Sequence, residues 1–130
     1  MITPEDAAAL ARQAVDLLAA DIDVEIDEQP NLDPYQRRPL GWIVWPLLDG
    51  QRAFGIHVEA KVDREHALAR MIDVLSEYSS ESARFWGEPF PPCPGHAHPA
   101  IVGVDDEWAP TTVLLRCPRT KRRVGSVVPR

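Results

Sequence analysis

Apolar residues near the start of the chain recur at steps of three and four, and the period then changes to two. The first pattern runs from Ala7 to Leu18 and predicts an amphipathic helix, with Thr3 as its N-cap and Pro4 at the first helical position. Residues 21–27 alternate between acidic and apolar side chains, which predicts a strand with one buried face and one face of carboxylates. We interpret that row as a solvated edge strand rather than a cation site or a docking surface for a basic partner, because side chains along one strand do not converge on a point.

The next segment predicts a loop and then a β-hairpin. Proline and turn-forming residues mark 29–39 as the loop. Residues 41–59 contain two β-rich runs joined at Asp49 and Gly50, a pair favoured in tight hairpin turns. Pro46 cannot donate a backbone hydrogen bond, so it is expected at a sheet edge or a bulge. The two tryptophans of the first run, Trp42 and Trp45, are expected in the core.

A second helix and three short β-runs complete the pattern. The helix is predicted to begin with Asp63 as its N-cap and to end near Gly87. The β-runs cover residues 101–104, 111–117 and 124–128. The order α-β-β-β-α followed by a β tail predicts a single α+β domain, in which residues 1–90 form an antiparallel sheet flanked by two helices. Residues 91–130 are predicted to form a zinc-ribbon-like β lobe.

Composition narrows the class of protein. A chain of 130 residues has room for one domain with one core, and its 45% apolar and 26% charged residues are ordinary for a globular protein. The start of the chain lacks the features of a secretory signal, and no apolar run approaches the length of a membrane span. These observations predict a cytoplasmic protein without a membrane partner, in which two cysteines remain thiols or bind metal.

Charge divides the chain into an acidic body and a basic tail. Residues 1–90 hold 8 Lys/Arg and 17 Asp/Glu, whereas residues 91–130 hold 6 and 3. The acidic body argues against nucleic acid and favours a basic protein partner. Five of the six cations of the tail are interpreted as a solvated turn beside a hairpin; they are Arg116, Arg119, Lys121, Arg122 and Arg123.

The candidate chemistry is concentrated in PPCPGHAHP, residues 91–99. Its CPGH supplies Cys93 and His96, and twenty residues later CPRT supplies Cys117, with Thr120 where a knuckle has its second ligand. Since threonine is not a usual zinc ligand, His98 is the candidate for the fourth position. A Cys-His-His-Cys set suits zinc and would leave no open position for water, which predicts a structural site. The alternative is that both cysteines are small buried apolar groups and that the prolines stiffen a loop.

Two resemblances bear on the same residues. The last forty residues or so resemble a zinc ribbon, and CPGHAHP followed by CP and a short strand is similar to the ending of small uncharacterised actinobacterial proteins, over about residues 92–128. The second resemblance implies that the cysteines and histidines belong together, and it implies no activity. The order of elements in the body also resembles double-stranded-RNA-binding domains and small acidic chaperones of secreted effectors. The first of these two families needs a basic start to its second helix, which the mixed sequence KVDREH does not provide.

An enzymatic alternative comes from HVE followed by PCPGH. It resembles the signature of zinc-dependent nucleoside and base deaminases, and the resemblance implies His57, Cys93 and His96 as ligands and Glu59 as the proton shuttle. However, the alternation around His57 and Glu59 places both on the outer face of a strand.

The sequence thus favours a small non-enzymatic protein-binding or regulatory module with a structural zinc site. One alternative is an acidic chaperone-like or immunity-type protein that holds a basic partner without metal. The other is a deaminase-like hydrolase.

Overall fold

The computed structural model describes residues 1–17, 22–27, 29–52, 54–79, 93–96, 98–107 and 110–129. The helices are α1 (Pro4–Leu17) and α2 (Arg64–Ser79). The strands are β1 (Asp23–Ile26), β2 (Asn31–Leu32), β3 (Pro39–Leu48), β4 (Gln51–Arg52), β5 (Ile56–Glu59), β6 (Ile101–Asp105), β7 (Thr112–Arg116) and β8 (Arg123–Val127). Strands β1–β5 form one antiparallel sheet, sheet A, and β6–β8 form a second, sheet B. The predicted α+β fold with a C-terminal β lobe is confirmed.

Sheet A is built around the long strand β3. Gly41 of β3 lies opposite Asn31 on one side and Glu59 on the other, so β1 and β2 flank one edge of β3 while β4 and β5 flank the other. The hairpin turns at Asp49 and Gly50, which both have positive φ, as a type I′ turn requires. The segment predicted to be only a loop contains the short strand β2.

Pro46 does not lie on an edge strand, contrary to one of its two predicted positions. It faces Val24 of β1, while on the opposite side of β3 the pairing with β5 ends at Val44 and the pairing with β4 begins at Leu47. The ladder is therefore interrupted beside the residue that cannot donate, which is how a central strand accommodates proline. The acidic strand β1 pairs only with β3 in the described residues, as expected of an edge strand.

Both helices begin with the predicted caps. The Asp6 amide donates to Thr3 Oγ1 at 3.1 Å, and the Thr3 amide donates back to the Asp6 carboxylate at 3.0 Å, which satisfies two donors at the start of α1. The Asp63 carboxylate accepts from the His66 amide at the start of α2. The predicted end of the first apolar pattern, at Leu18, and the predicted end of the second helix, near Gly87, lie outside the described residues.

The helices form a layer between the two sheets. Helix α1 packs against β1, β3 and β8, and α2 packs against β5, β6 and β7. One cluster of buried side chains includes members from each layer, such as Val44, Leu10, Leu68 and Leu115. Gln13 on α1 also donates through Nε2 to the Val128 carbonyl at 3.2 Å. The predicted β lobe is thus a separate sheet that is packed onto the helices. Neither of the helices described is both long and apolar enough to cross a membrane.

Candidate metal centre

The topology of sheet B brings the predicted ligands to one end of the sheet. Ile101 at the start of β6 pairs with Arg116 at the end of β7. The segment that precedes β6 and the turn that follows β7 are therefore neighbours. Cys93, His96 and His98 lie on the first of these, and Cys117 lies on the second.

The first of the two turns is formed by residues 93–96. The His96 amide donates to the Cys93 carbonyl at 3.0 Å, with Pro94 and Gly95 as the central residues and a φ of 77° at Gly95. Proline followed by a glycine of positive φ is the signature of a type II turn. This turn brings the Cys93 sulfur to 3.4 Å from His96 Nδ1.

The second turn starts at Cys117. Its carbonyl accepts from the Lys121 amide at 2.9 Å, its amide donates to the Arg122 carbonyl at 2.9 Å, and Lys121 has a positive φ of 64°. The Thr120 amide points back and donates to the Cys117 sulfur at 3.4 Å. Thr120 stands where a regular knuckle has its second ligand, and here its amide supports the one cysteine.

Two sulfur and two nitrogen atoms form a closed ring at this end of sheet B. His96 Nδ1 lies 3.4 Å from the Cys93 sulfur and 3.3 Å from the Cys117 sulfur, and His98 Nε2 lies 3.5 Å and 3.4 Å from the same two atoms. All four donor atoms lie within 4.8 Å of one another. Bonds of about 2.3 Å to sulfur and about 2.0–2.1 Å to nitrogen at tetrahedral angles give a sulfur–nitrogen edge of about 3.5 Å. The four side chains are therefore close together as in a metal site, with spacing that suits zinc.

The two thiols are both buried, but their pKa values are shifted in opposite directions. Cys93 is 3% exposed and Cys117 is 1% exposed, whereas both histidines are half-buried. Hydrogen bonds from Thr120, the largest cause, and from His98 lower the pKa of Cys117 to about 5 against the effect of burial. Burial, and then the neighbouring Cys117, raise the pKa of Cys93. These hydrogen bonds favour a thiolate at Cys117, and a metal bound by both sulfurs would also displace the proton of Cys93.

The residues of the deaminase hypothesis do not come together. His57 and Glu59 lie on β5, where they face Ile43 and Gly41 of β3, and neither belongs to the group formed by the cysteines and His96 and His98 in the described residues. The remaining histidine, His66, is exposed and paired with Asp63, whose hydrogen bond raises its pKa. The strand alternation had indicated the placement of His57 and Glu59 on an outer face.

Two features of the structure were missed by sequence reasoning. The Thr120 side chain suggested a defective knuckle, and only the folded turn reveals that the Thr120 amide contacts the cysteine sulfur. Trp45 was expected in the core, but its strand alternates, so that Val44 is buried against the helices while Trp45 lies on the opposite face beneath Arg52. The alternation of side chains along the strand was the available signal, because it places Trp45 on the same face as Ile43 and Leu47 and on the opposite face from Val44.

No protein-family model, curated protein or solved structure matches this chain at a significant level. The resemblance to small actinobacterial proteins therefore stays a prediction. The chemistry of the four side chains is the remaining guide to what the site binds.

Proposed function

We propose that this protein is a non-enzymatic binding or regulatory module in which Cys93, His96, His98 and Cys117 hold a structural zinc ion. The observation that carries the proposal is the closed ring of four sulfur–nitrogen distances between 3.3 and 3.5 Å. Two thiolates and two imidazoles are ligands that zinc prefers, whereas calcium and magnesium take oxygen ligands.

A structural role follows from the number of ligands. Four protein ligands complete a tetrahedral zinc ion, so no position is left at which water or substrate could be activated. Cys93 and Cys117 are also almost fully buried, as a site within the packing of a domain requires. The ion would join the segment before β6 to the turn between β7 and β8, which closes a loop across sheet B.

The binding part of the proposal rests on charge. Residues 1–90 carry a net negative charge, and the acidic strand β1 lies at an edge of sheet A in the described residues, so this part of the chain would complement a basic protein partner. The same surface supports the second candidate, an acidic chaperone-like or immunity-type protein that holds such a partner without metal. The two candidates differ in whether the site formed by the two cysteines and two histidines contains zinc.

Metal analysis of the purified protein separates these candidates. We expect about one zinc ion per chain in the wild type, lost in Cys93→Ser and lost or weakened in His98→Ala, because three ligands bind zinc less tightly than four. Thr120→Val should retain the metal, because the Thr120 amide still donates to the sulfur and the lost side-chain hydrogen bond removes no metal ligand. His66→Ala is the matched histidine control, because His66 is exposed and outside the site.

Zinc retained by His98→Ala but lost from Thr120→Val would assign the fourth position to Thr120 and contradict the ligand set. A wild-type protein that neither contains zinc nor takes it up after reduction of its thiols would overturn the metal proposal. The cysteines and prolines would then be parts of a stiff loop. The remaining candidate would be the acidic chaperone-like or immunity-type protein that holds a basic partner without metal.

A further inference from the structure

One face of sheet A carries apolar side chains away from the core. Ile43, Trp45 and Leu47 alternate along β3 with residues that face the helices, and they do not belong to the buried cluster or to the side chains packed against it. In the described residues the side chains of sheet A that share the buried cluster with both helices, such as Val44, Ile56 and Val58, lie on the opposite face. We call this side the outer face; its stripe is formed by Ile43, Trp45 and Leu47.

Carboxylates border this stripe along β1. Asp23 lies opposite Leu47, and Glu25 lies opposite Trp45. Opposed residues of an antiparallel pair point to the same side of the sheet, so both carboxylates lie on the outer face. Asp27 follows β1 and reaches the same face, where it pairs with Arg52. The outer face thus combines an apolar centre with an acidic border.

Arg52 already shows which chemistry this face binds. Its guanidinium lies 5.0 Å from the centre of the Trp45 ring, and its nitrogens lie 3.0 Å from Glu25 and 3.4 Å from Asp27. One cation is therefore held by an aromatic ring and two carboxylates at once. Both carboxylate side chains remain partly exposed, at 49% and 36%, so they can accept a second cation.

Two polar atoms on the outer face lack partners. Trp45 Nε1 and His57 Nε2 are buried and have no hydrogen-bond partner within the described structure. His57 lies opposite Ile43, next to the apolar stripe. Neither atom has surface that a docked molecule could reach, so the apolar stripe and the acidic border are the features that a partner would contact.

We propose that the outer face of sheet A docks a basic segment of a protein partner, one that carries arginine or lysine next to apolar side chains. Its cations would bind Glu25, Asp27 and Asp23, and its apolar groups would cover Trp45 and its neighbours. Charge complementarity selects this occupant over an acidic segment or a polyanion. The inference rests on the binding role proposed above and not on the zinc ion, because sheet A supplies no zinc ligand.

A titration followed by NMR tests this surface. The probe is a synthetic peptide of alternating arginine and leucine, added to the zinc-loaded ¹⁵N-labelled protein. We expect the largest shifts at the Trp45 indole N–H and at the amides of β1 and β3. The double variant E25K/D27K should weaken binding by about tenfold, whereas D16K/D73K, with the same change of net charge on exposed helix positions, should weaken it less than about twofold.

A variant that is expected to bind the peptide more tightly controls for variants that lose binding because they misfold. Arg52→Gln removes the internal cation from Trp45 and frees two carboxylates, so we expect it to bind the peptide several times more tightly. Equal weakening by the two double variants, shifts centred away from the outer face, or equal binding of a peptide of alternating glutamate and leucine would overturn the proposal. Repeating the titration after zinc chelation distinguishes the two proposals: peptide binding that persists in a protein without zinc supports this surface even if the metal proposal fails.

Discussion

At the scale of single residues, the two thiols of the site are chemically unequal. The Cys117 sulfur accepts hydrogen bonds from Thr120 and His98, which favour its thiolate and lower its pKa to about 5. The Cys93 sulfur also lies near His96 and His98, but burial and the neighbouring Cys117 raise its pKa. A zinc ion would replace this asymmetry with two metal-bound thiolates.

This difference predicts a pH dependence of the metal-free fold. The pKa of Cys117 falls from an ordinary value of 9.0 to about 5 on folding, so between these values the unfolded chain binds more protons than the folded chain. The contribution of Cys117 to the free energy of unfolding should therefore rise with pH through this window and be lost as pH falls through 5. The measurement is thermal unfolding of chelated wild type and chelated Cys117→Ser at several pH values.

The comparison with Cys117→Ser isolates this contribution, because other groups titrate in the same window. The raised pKa of His66, for example, adds stability that is present below its ordinary value of 6.5 and is lost at higher pH. The contribution of His66 is the same in the wild type and in Cys117→Ser, so it cancels in the comparison. A stability difference that stays constant from pH 5 to 9 would show that Cys117 is not a thiolate in the metal-free fold.

At the scale of elements, the turn of residues 93–96 depends on Gly95. Its φ of 77° lies in the left-handed region, and no atom lies within 4 Å of the position that a Cβ would take. Gly95→Ala should therefore cost only conformational energy, about 1–2 kcal/mol of unfolding free energy, with weaker zinc binding as a consequence. Chemical denaturation and a competitive zinc titration measure the two effects.

Gly103→Ala provides the matched control for this substitution. Gly103 lies in β6 without a positive φ, and a Cβ there would meet only Leu114 at an ordinary 3.9 Å. We expect it to bind zinc as tightly as the wild type does. If both alanine variants lost equal affinity, the left-handed turn would not be what positions Cys93 and His96.

The elements were predictable where short-range signals determine them. The caps at Thr3 and Asp63, the turn at Asp49 and Gly50, and the runs of sheet B all follow from spacing and turn chemistry. The four members of the candidate site were also identifiable, because cysteine and histidine stood out beside prolines.

The features that the sequence did not reveal depend on contacts between residues that are distant along the chain. Pro46 sits in a central strand because the ladder changes partner beside it, and nothing local to Pro46 encodes that. Trp45 faces outward because Val44 takes the core side of the same strand. The packing of sheet B on the helices is set by surface complementarity, which a pattern of periods does not specify.

At the scale of the whole molecule, the buried core is continuous. The cluster that contains Val44 of sheet A and Leu115 of sheet B passes through both helices. Cys93 and Cys117 belong to this same cluster, so the candidate metal site is joined to the packing of the domain. Binding or loss of a metal ion at the site should therefore change the stability of sheet A, although sheet A supplies none of the four candidate ligands.

This continuity predicts how the molecule responds to loss of zinc. At a free zinc concentration about 100 times its dissociation constant, binding adds about 2.7 kcal/mol, so chelation should reduce the protection of the most stable amides about a hundredfold. If folding is cooperative across the core, hydrogen exchange should rise by the same factor in β3 and in β7, although only sheet B borders the site. Cys93→Ser should show no response to the chelator. Faster exchange confined to β6–β8 would instead mean that sheet B unfolds independently, and that the continuous packing does not couple it to sheet A.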